Sequence, residues 1–318
     1  MKKNQRTPVY VLSGFLGSGK TTVLLHMLKQ CKEQGLRPGI ILNELGETNV
    51  EGHLFKNENV YELLNGCICC TIQDDLKETM DELILQTEKE AIDILFIEGT
   101  GVANPLEIQE VLFSRPYMER FELMSVITVL DASHFLEFQS VFSSSSELRT
   151  LLKEQMICGS LLLLNKTDLI RLEQLEKVKS KIQRIVGDDK KLIESTFGKV
   201  DSDQLLKKRI RSILMGSEGE YHHHHSTVQM VKLEEVPPLK QKIFEKWLKQ
   251  LPCHVLRGKG YVQIDGSDQL FSFQYASGKS AFMPVSAGFN RKPVIILIGI
   301  DIDVEQMKKD WKQLAHSK

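Results

Sequence analysis

The chain lacks a long apolar run, an excess of charge of one sign and a cysteine framework, and each absence removes a class of function. No stretch reaches the roughly 18 apolar residues that a membrane-spanning helix requires, so no membrane partner is expected. Lys and Arg number 41 against 42 Asp and Glu, for a net charge of −1. No global positive field therefore draws the protein to nucleic acid or anionic lipid, and any anion must be held by local groups. The start, Met1-Lys2-Lys3 followed by apolar residues 9–16, is too short for a secretory leader. It runs into Gly17-Ser18-Gly19-Lys20 with no small-residue cleavage site. Of six cysteines, three are packed into Cys67-Ile68-Cys69-Cys70, while Cys31, Cys158 and Cys253 are scattered. That distribution fits metal binding or redox chemistry in a reducing compartment, and the cytoplasm is the expected location. There is no internal repeat.

What is present is the composition of an ordinary soluble globular chain, 42% apolar and 26% charged. At 318 residues the length suits a larger domain plus a smaller one. Residues 9–13, 39–43, 59–63, 92–98, 125–131, 160–165 and 192–195 read as strands. Several are apolar throughout, as in a parallel sheet covered on both faces. Helical patterns at 20–33, 74–90, 147–158, 172–185 and 202–214 lie among them. The alternation predicts an α/β domain with a mostly parallel sheet over residues 1–214. Residues 215–227 are polar, contain four successive histidines and read as a linker. Residues 228–318 form a small α+β domain, with strands at 228–233, 254–257, 261–265, 270–275 and 293–299 and helices at 239–250 and 304–314. Trp247 and Trp311 fall on those helices, where core packing is the expectation.

Gly14-Phe15-Leu16-Gly17-Ser18-Gly19-Lys20-Thr21 satisfies G-x-x-x-x-G-K-[ST] in full, between a strand and a helix. Glycines Gly14, Gly17 and Gly19 let the backbone curl so that N–H groups, including those of Ser18 and Thr22, face phosphate oxygens. The helix start adds partial positive charge, Lys20 reaches the β- and γ-phosphates, and the Thr21 hydroxyl ligates Mg²⁺. The motif makes the chain a P-loop nucleoside triphosphatase. Glu98-Gly99-Thr100-Gly101 closes an apolar strand at the carboxyl edge of the sheet, where ligands bind. Glu98 either holds Mg²⁺ through water or orients an attacking water, and Gly101 lets the backbone approach the γ-phosphate. Asn165-Lys166-Thr167-Asp168 follows a strand. A carboxylate at Asp168 can accept two donors from guanine that adenine does not offer, which selects GTP.

The thiolates of Cys67, Cys69 and Cys70 can face one metal ion in a tight turn. Zn²⁺ is the natural occupant, Co²⁺ and Ni²⁺ are possible, and a site short of one ligand is exchangeable. His222, His223, His224 and His225 either collect such metals loosely or are a solvated linker. His26 on the first helix reads as packing or surface.

Together these residues resemble the CobW-type GTPases, the metallochaperone branch of the P-loop GTPases. Residues 14–22 look like the family's phosphate loop, Asn43-Glu44-Leu45-Gly46-Glu47 like its first switch, and Asn65-Gly66-Cys67-Ile68-Cys69-Cys70 like its metal motif. Glu98–Gly101 with Asn104-Pro105 looks like its acidic switch, and Asn165–Asp168 like its base motif. Leu256-Arg257-Gly258-Lys259-Gly260 resembles the signature of its C-terminal domain. Where the family usually carries Asp shortly after the first switch, this chain has Glu51. The resemblance implies a GTP-dependent metal chaperone serving a client metalloprotein, with Glu47 as an oxygen ligand completing the cysteine site. Two rivals stand beside it: an ATP-dependent small-molecule kinase, against which Asp168 argues, and a nucleotide-gated metal buffer or sensor.

Overall fold

The computed structural model describes residues 6–42, 59–62, 72–87, 91–210, 228–233, 236–252, 255–266, 269–276, 279–285, 292–300 and 302–316. The chain divides into two compact units, Met1–Ile210 and Arg211–Lys318.

Among the described residues of the first unit, seven strands form one parallel sheet. They are β1 (Thr7–Ser13), β2 (Pro38–Leu42), β3 (Asn59–Glu62), β4 (Ile94–Glu98), β5 (Phe121–Asp131), β6 (Leu161–Asn165) and β7 (Leu192–Glu194). Their order is β3-β2-β4-β1-β5-β6-β7, with every pairing parallel. All five residues of β2, of β4 and of β6 are buried, because helices lie on both faces; the helices of this unit include α2 (Ile72–Thr87), α4 (Tyr117–Arg120) and α5 (Phe135–Phe138). On one face α1 (Lys20–Glu33) sets Val23, Leu24, Met27, Leu28 and Cys31 against Tyr10, Leu12, Ile40, Phe96 and Val129. The spacing of those helical residues is the apolar stripe of an amphipathic helix. On the other face α6 (Ser146–Cys158) and α7 (Leu172–Val186) pack Met156, Leu175, Val178 and Ile182 onto Leu130, Leu162 and Leu164. Alternate residues of β5 and β6 thus serve opposite cores, the period-two consequence of a pleated strand.

The strand order places the crevice at β1, which has β4 on one side and β5 on the other. Connections leave toward β2 on one flank and toward β6 on the other, the arrangement that puts ligands at the carboxyl ends of the strands.

Two helical details differ from the sequence reading. A helix α3 (Pro105–Leu112), capped by Asn104 through its side chain, follows β4 after a short loop and had no counterpart in the periodicity. Conversely, the helix expected over 202–214 is a single turn, α8 (Ser202–Leu205). The chain then leaves the helical path because the N–H groups of Arg209 and Ile210 donate to Met124 O on β5, at 2.7 and 3.0 Å. Residues 211–214 of that expectation and the linker at 215–227 lie outside the described residues.

The second unit is an antiparallel sheet of β8 (Val228–Leu233), β9 (Val255–Gln263), β10 (Leu270–Ala276), β11 (Lys279–Pro284) and β12 (Val294–Ile300). Its order is β11-β10-β9-β12-β8. Strand β9 runs unbroken where two short strands were expected, and β11 was not anticipated. At Gly260 a Cβ would lie 1.9 Å from Val294 O, so the glycine permits the close approach of β9 and β12. Helices α9 (Gln241–Gln250) and α10 (Val304–His316) share one core with the sheet, and Trp247 and Trp311 meet in it with ring centroids 5.4 Å apart. Phe244 is fully buried at its centre, edge-on to Phe273 at 5.0 Å.

Both tryptophans of the chain belong to this second core, so their emission reports on it alone. Phe244→Ala should destabilise that unit by about 3–5 kcal/mol, the usual cost of deleting a buried aromatic ring. Denaturant unfolding followed by tryptophan fluorescence measures this, and an unchanged midpoint would contradict the packing described.

Candidate functional site

Between β1 and α1, residues 14–19 turn back over the sheet edge. Gly14 and Gly19 both have left-handed backbone, with φ of 135° and 99°. A Cβ at Gly14 would lie 2.1 Å from Val129 O. Gly19 is the N-cap of α1, which has no side-chain cap and no acidic residue in its first turn. The helix therefore starts with N–H donors and dipole charge that no side chain of its own neutralises, as an anion site requires. Ser18 Oγ is buried with no hydrogen-bond partner. Lys20, 7% exposed, folds over the loop with Nζ 3.4 Å from Phe15 O. Thr21 donates to Glu98 Oε1 at 2.9 Å. Thr22 is exposed in the same turn, and Gly17 sits at the tip of the loop with φ of 73°.

Glu98 ends β4 beside Leu12 and Leu42, 8% exposed. The segment after it lies on the phosphate loop, since a Cβ on Gly101 would be 2.5 Å from Leu16 N.

On the other flank Asn165 ends β6, 2% exposed, and acts as a hub. Its Nδ2 donates to Ser18 O at 3.0 Å, and its Oδ1 accepts from Ser195 Oγ and Gly198 N, both at 2.9 Å. Lys166 adopts left-handed backbone, with φ of 62°, and its Nζ donates to Asp131 Oδ2 at 2.7 Å. Burial pushes the Asp131 carboxyl up, but Lys166 and Ser133 donate to it and hold it below the usual carboxylate range. Asp168 lies exposed in the 3₁₀ turn Thr167–Leu169.

Thus the structure brings Gly14, Gly17, Ser18, Gly19, Lys20, Thr21, Glu98 and Gly101 together at the carboxyl edge of the sheet, with Asn165 joined to them. Sequence reasoning missed two contributors. Asp131 orders Lys166, and its only signal is its place at the end of a strand. The stretch Ser195–Gly198 after β7 grips Asn165, and Thr167 is within 3.3 Å of Thr196 across it. Lys166 and Phe197 are the non-glycine residues with left-handed backbone among those described, and they flank this hub on either side. Such conformations concentrate at ligand sites. His26, which reads from the sequence as packing or surface, bonds Phe197 O through Nε2 at 3.1 Å.

The cysteine motif Cys67, Cys69, Cys70, the first switch with Glu47, Glu51, and the run His222, His223, His224, His225 lie outside the described residues. Among the described residues no group of three His, Cys, Asp or Glu could hold a metal ion. Cys31 and Cys158 are buried, and burial pushes Cys31 up to about 11, well away from thiolate character. No described helix is long and apolar enough to cross a membrane.

A loop, an uncapped helix start and an acidic strand end that meet at the switch point of a parallel sheet make the first unit a P-loop nucleotide-binding domain. The family follows from comparison. The model of the CobW/HypB/UreG nucleotide-binding domain matches residues 8–193, and that of the cobalamin synthesis protein cobW C-terminal domain matches residues 228–315. The chain belongs to the CobW/HypB/UreG family. It is 29% identical over 251 residues to the zinc chaperone CobW of Pseudomonas aeruginosa, covering 71% of this chain and 66% of that protein. It is 30% identical over 247 residues to the zinc-regulated GTPase metalloprotein activator 1 of Dictyostelium discoideum, covering 67% and 51%. With the zinc chaperone YjiA of Escherichia coli K12 it shares 29% over 281 residues, 84% and 85%. The chain spans less than two thirds of the length of the first two. The Zn(II)-bound structure of the E. coli YjiA GTPase has the same fold, with a TM-score of 0.51 at 24% identity over 98% of this chain and 99% of that one.

Asn165→Ala would leave Ser18 O, Ser195 Oγ and Gly198 N without their shared partner. The first unit should lose roughly 2–4 kcal/mol, and nucleotide should bind about tenfold or more weakly as the two loops part. Chemical denaturation and titration with a fluorescent nucleotide read both effects, and wild-type affinity would refute the hub.

Proposed function

We propose that the chain is a GTP-hydrolysing metal chaperone that binds Zn²⁺ at Cys67, Cys69 and Cys70 and delivers it to a client metalloprotein in step with nucleotide turnover. The observation that carries the nucleotide half is the Thr21–Glu98 hydrogen bond of 2.9 Å beside Lys20. A hydroxyl and a carboxylate together are hard oxygen donors, and they fit Mg²⁺. Bound there, Mg²⁺ supplies charge neutralisation at the phosphate oxygens. Lys20 and the N–H groups of residues 14–22 hold the phosphate chain, and Gly101 admits the γ-phosphate. In hydrolysis the water oxygen bonds to the γ-phosphorus while the bond to the β–γ bridging oxygen breaks. GDP keeps that oxygen, and the water proton ends on inorganic phosphate. Glu98 orients the water or holds the metal through it.

Asp168 reads the base by accepting from guanine N1–H and N2–H, and Asn165 and Lys166 fix the turn that presents it. The metal half rests on the three clustered thiols and on relatives named zinc chaperones and a zinc-regulated GTPase metalloprotein activator. Zn²⁺ is the cargo in this reading, Co²⁺ and Ni²⁺ are alternatives, Glu47 supplies an oxygen ligand, and His222–His225 collect metal loosely. Reduced thiols of this kind belong in the cytoplasm. With a net charge of −1, no nucleic acid partner is proposed.

Asp168→Asn should lose guanine selectivity by roughly a hundredfold or more and gain xanthine nucleotides, whose 2-oxo group accepts where guanine donates. Competition among GTP, XTP and ATP tests this, and an unaltered GTP preference would remove Asp168 from the base site.

Chaperone action requires coupling. Zn²⁺ should change GTP affinity, and GTP should change Zn²⁺ affinity, by one common factor. Replacing Cys67, Cys69 and Cys70 by Ser should abolish tight Zn²⁺ binding and that coupling while GTP still binds. Equal Zn²⁺ affinity with GTP, with a non-hydrolysable analogue and without nucleotide would leave an uncoupled metal buffer and overturn the mechanism.

A further inference from the structure

We propose that Gln155 is a positioning residue for nucleotide hydrolysis, holding the segment after Glu98 against the phosphate loop. The inference rests on the reading of the chain as a GTPase and names a group outside its motifs. Gln155 lies in α6, fully buried between Leu152, Met156 and Cys158 of the same helix. Its Nε2 donates to Gly101 O and to Ala103 O, each at 3.2 Å. The adjacent Glu154 accepts from Asn104 Nδ2 at 2.9 Å, and Asn104 in turn caps α3 by accepting from Leu106 N at 3.0 Å. Two consecutive residues of one helix therefore hold three of the four residues that follow Thr100.

The other side of the segment is held by the phosphate loop strand. Gly99 N donates to Leu12 O at 2.9 Å, and Gly101 abuts Leu16. The brace is itself anchored beside the same loop, because Thr128 Oγ1 donates to Gln155 O at 2.8 Å and Thr128 is the sheet partner of Ser13. Residues 99–104 belong to no helix or strand. Without a ladder, the Gly101 and Ala103 carbonyls need a donor from elsewhere, and Gln155 provides it.

Packing alone does not account for a glutamine here. Its Oε1 is buried with no hydrogen bond, and a half-satisfied buried amide is less stable than a hydrocarbon of the same shape. What the amide adds is a fixed position of the Gly101 carbonyl, and with it of the backbone that lies against Leu16 of the phosphate loop. A segment already held in place beside the phosphate loop needs no reorganisation when charge develops on the γ-phosphoryl group. GDP lacks that group and gains nothing from it.

The test is Gln155→Met, which keeps the volume and removes the donor, in the full chain. GTP turnover, KM for GTP, GDP affinity and thermal melting are measured beside wild type. The expected result is a fall in kcat of roughly 10–100-fold, the scale of a small misplacement, with KM and GDP affinity within about twofold. A kcat within about twofold of wild type overturns the proposal. So does a loss of GDP affinity matching the loss of kcat, which marks a general structural role. Should Gln155→Met fail to fold, Glu154→Ala, on the less buried side of the helix, decides by the same split: a lower kcat at unchanged GDP affinity supports the brace and an unchanged kcat overturns it. Wild-type protein inert toward GTP would instead remove the GTPase reading itself.

Discussion

Thr21 and Glu98, 77 positions apart, share one hydrogen bond, and the architecture of the first unit follows from the need to make it. Glu98 reaches Thr21 because β4 pairs with β1 in parallel, with Leu12 opposite Glu98. Parallel neighbours cannot be joined by a tight turn, so crossover helices are required and they cover both faces of the sheet. Once covered, β2, β4 and β6 must be free of charged and strongly polar side chains up to their last residue. The polar groups of the site are thereby confined to the ends of the strands, where Ser13, Glu98, Asp131 and Asn165 stand in adjacent strands.

Beyond that edge the chain is irregular, and its backbone groups cannot satisfy one another. Side chains from the rigid elements take over the task. Asn165 ties the phosphate loop to the stretch after β7 with three hydrogen bonds. Gln155 ties the segment after β4 to α6 with two. Each is a buried amide on a regular element, and each fixes a loop at the phosphate-loop edge of the sheet. Precision at the site is thus borrowed from the sheet and helices through a few long-range polar contacts.

Much of the fold was readable from periodicity. The unbroken apolar runs of β4 and β6 and the stripe of α1 follow from burial alone. Helix α3 was hidden because Gln109 and Glu110 are buried with Leu106, Ile108 and Val111, which erases the contrast between an apolar and a polar face. The continuous β9 was hidden for a related reason. Gly258 and Gly260 look like a break, yet they leave room for neighbouring strands, with Leu297 Cδ2 only 2.9 Å from where a Gly258 Cβ would lie. The helix expected beyond Leu205 kept the right pattern but met a stronger competitor in the Met124 carbonyl.

The sequence by itself displayed the groups proposed to act within one short stretch of chain: the phosphate loop of residues 14–21, Glu98 at its strand end, the Asn165–Asp168 turn and the cysteine cluster. Their chemistry depends on local spacing, which a sequence displays directly. Only the tertiary structure decided that Asp131 would order Lys166, that Ser195 and Gly198 would grip Asn165, and that Gln155 would hold Gly101. Those contacts join residues separated by 30 to 54 positions or lie across neighbouring strand ends. They depend on strand order and register, which are set by the burial of whole faces against one another and leave no local pattern to read.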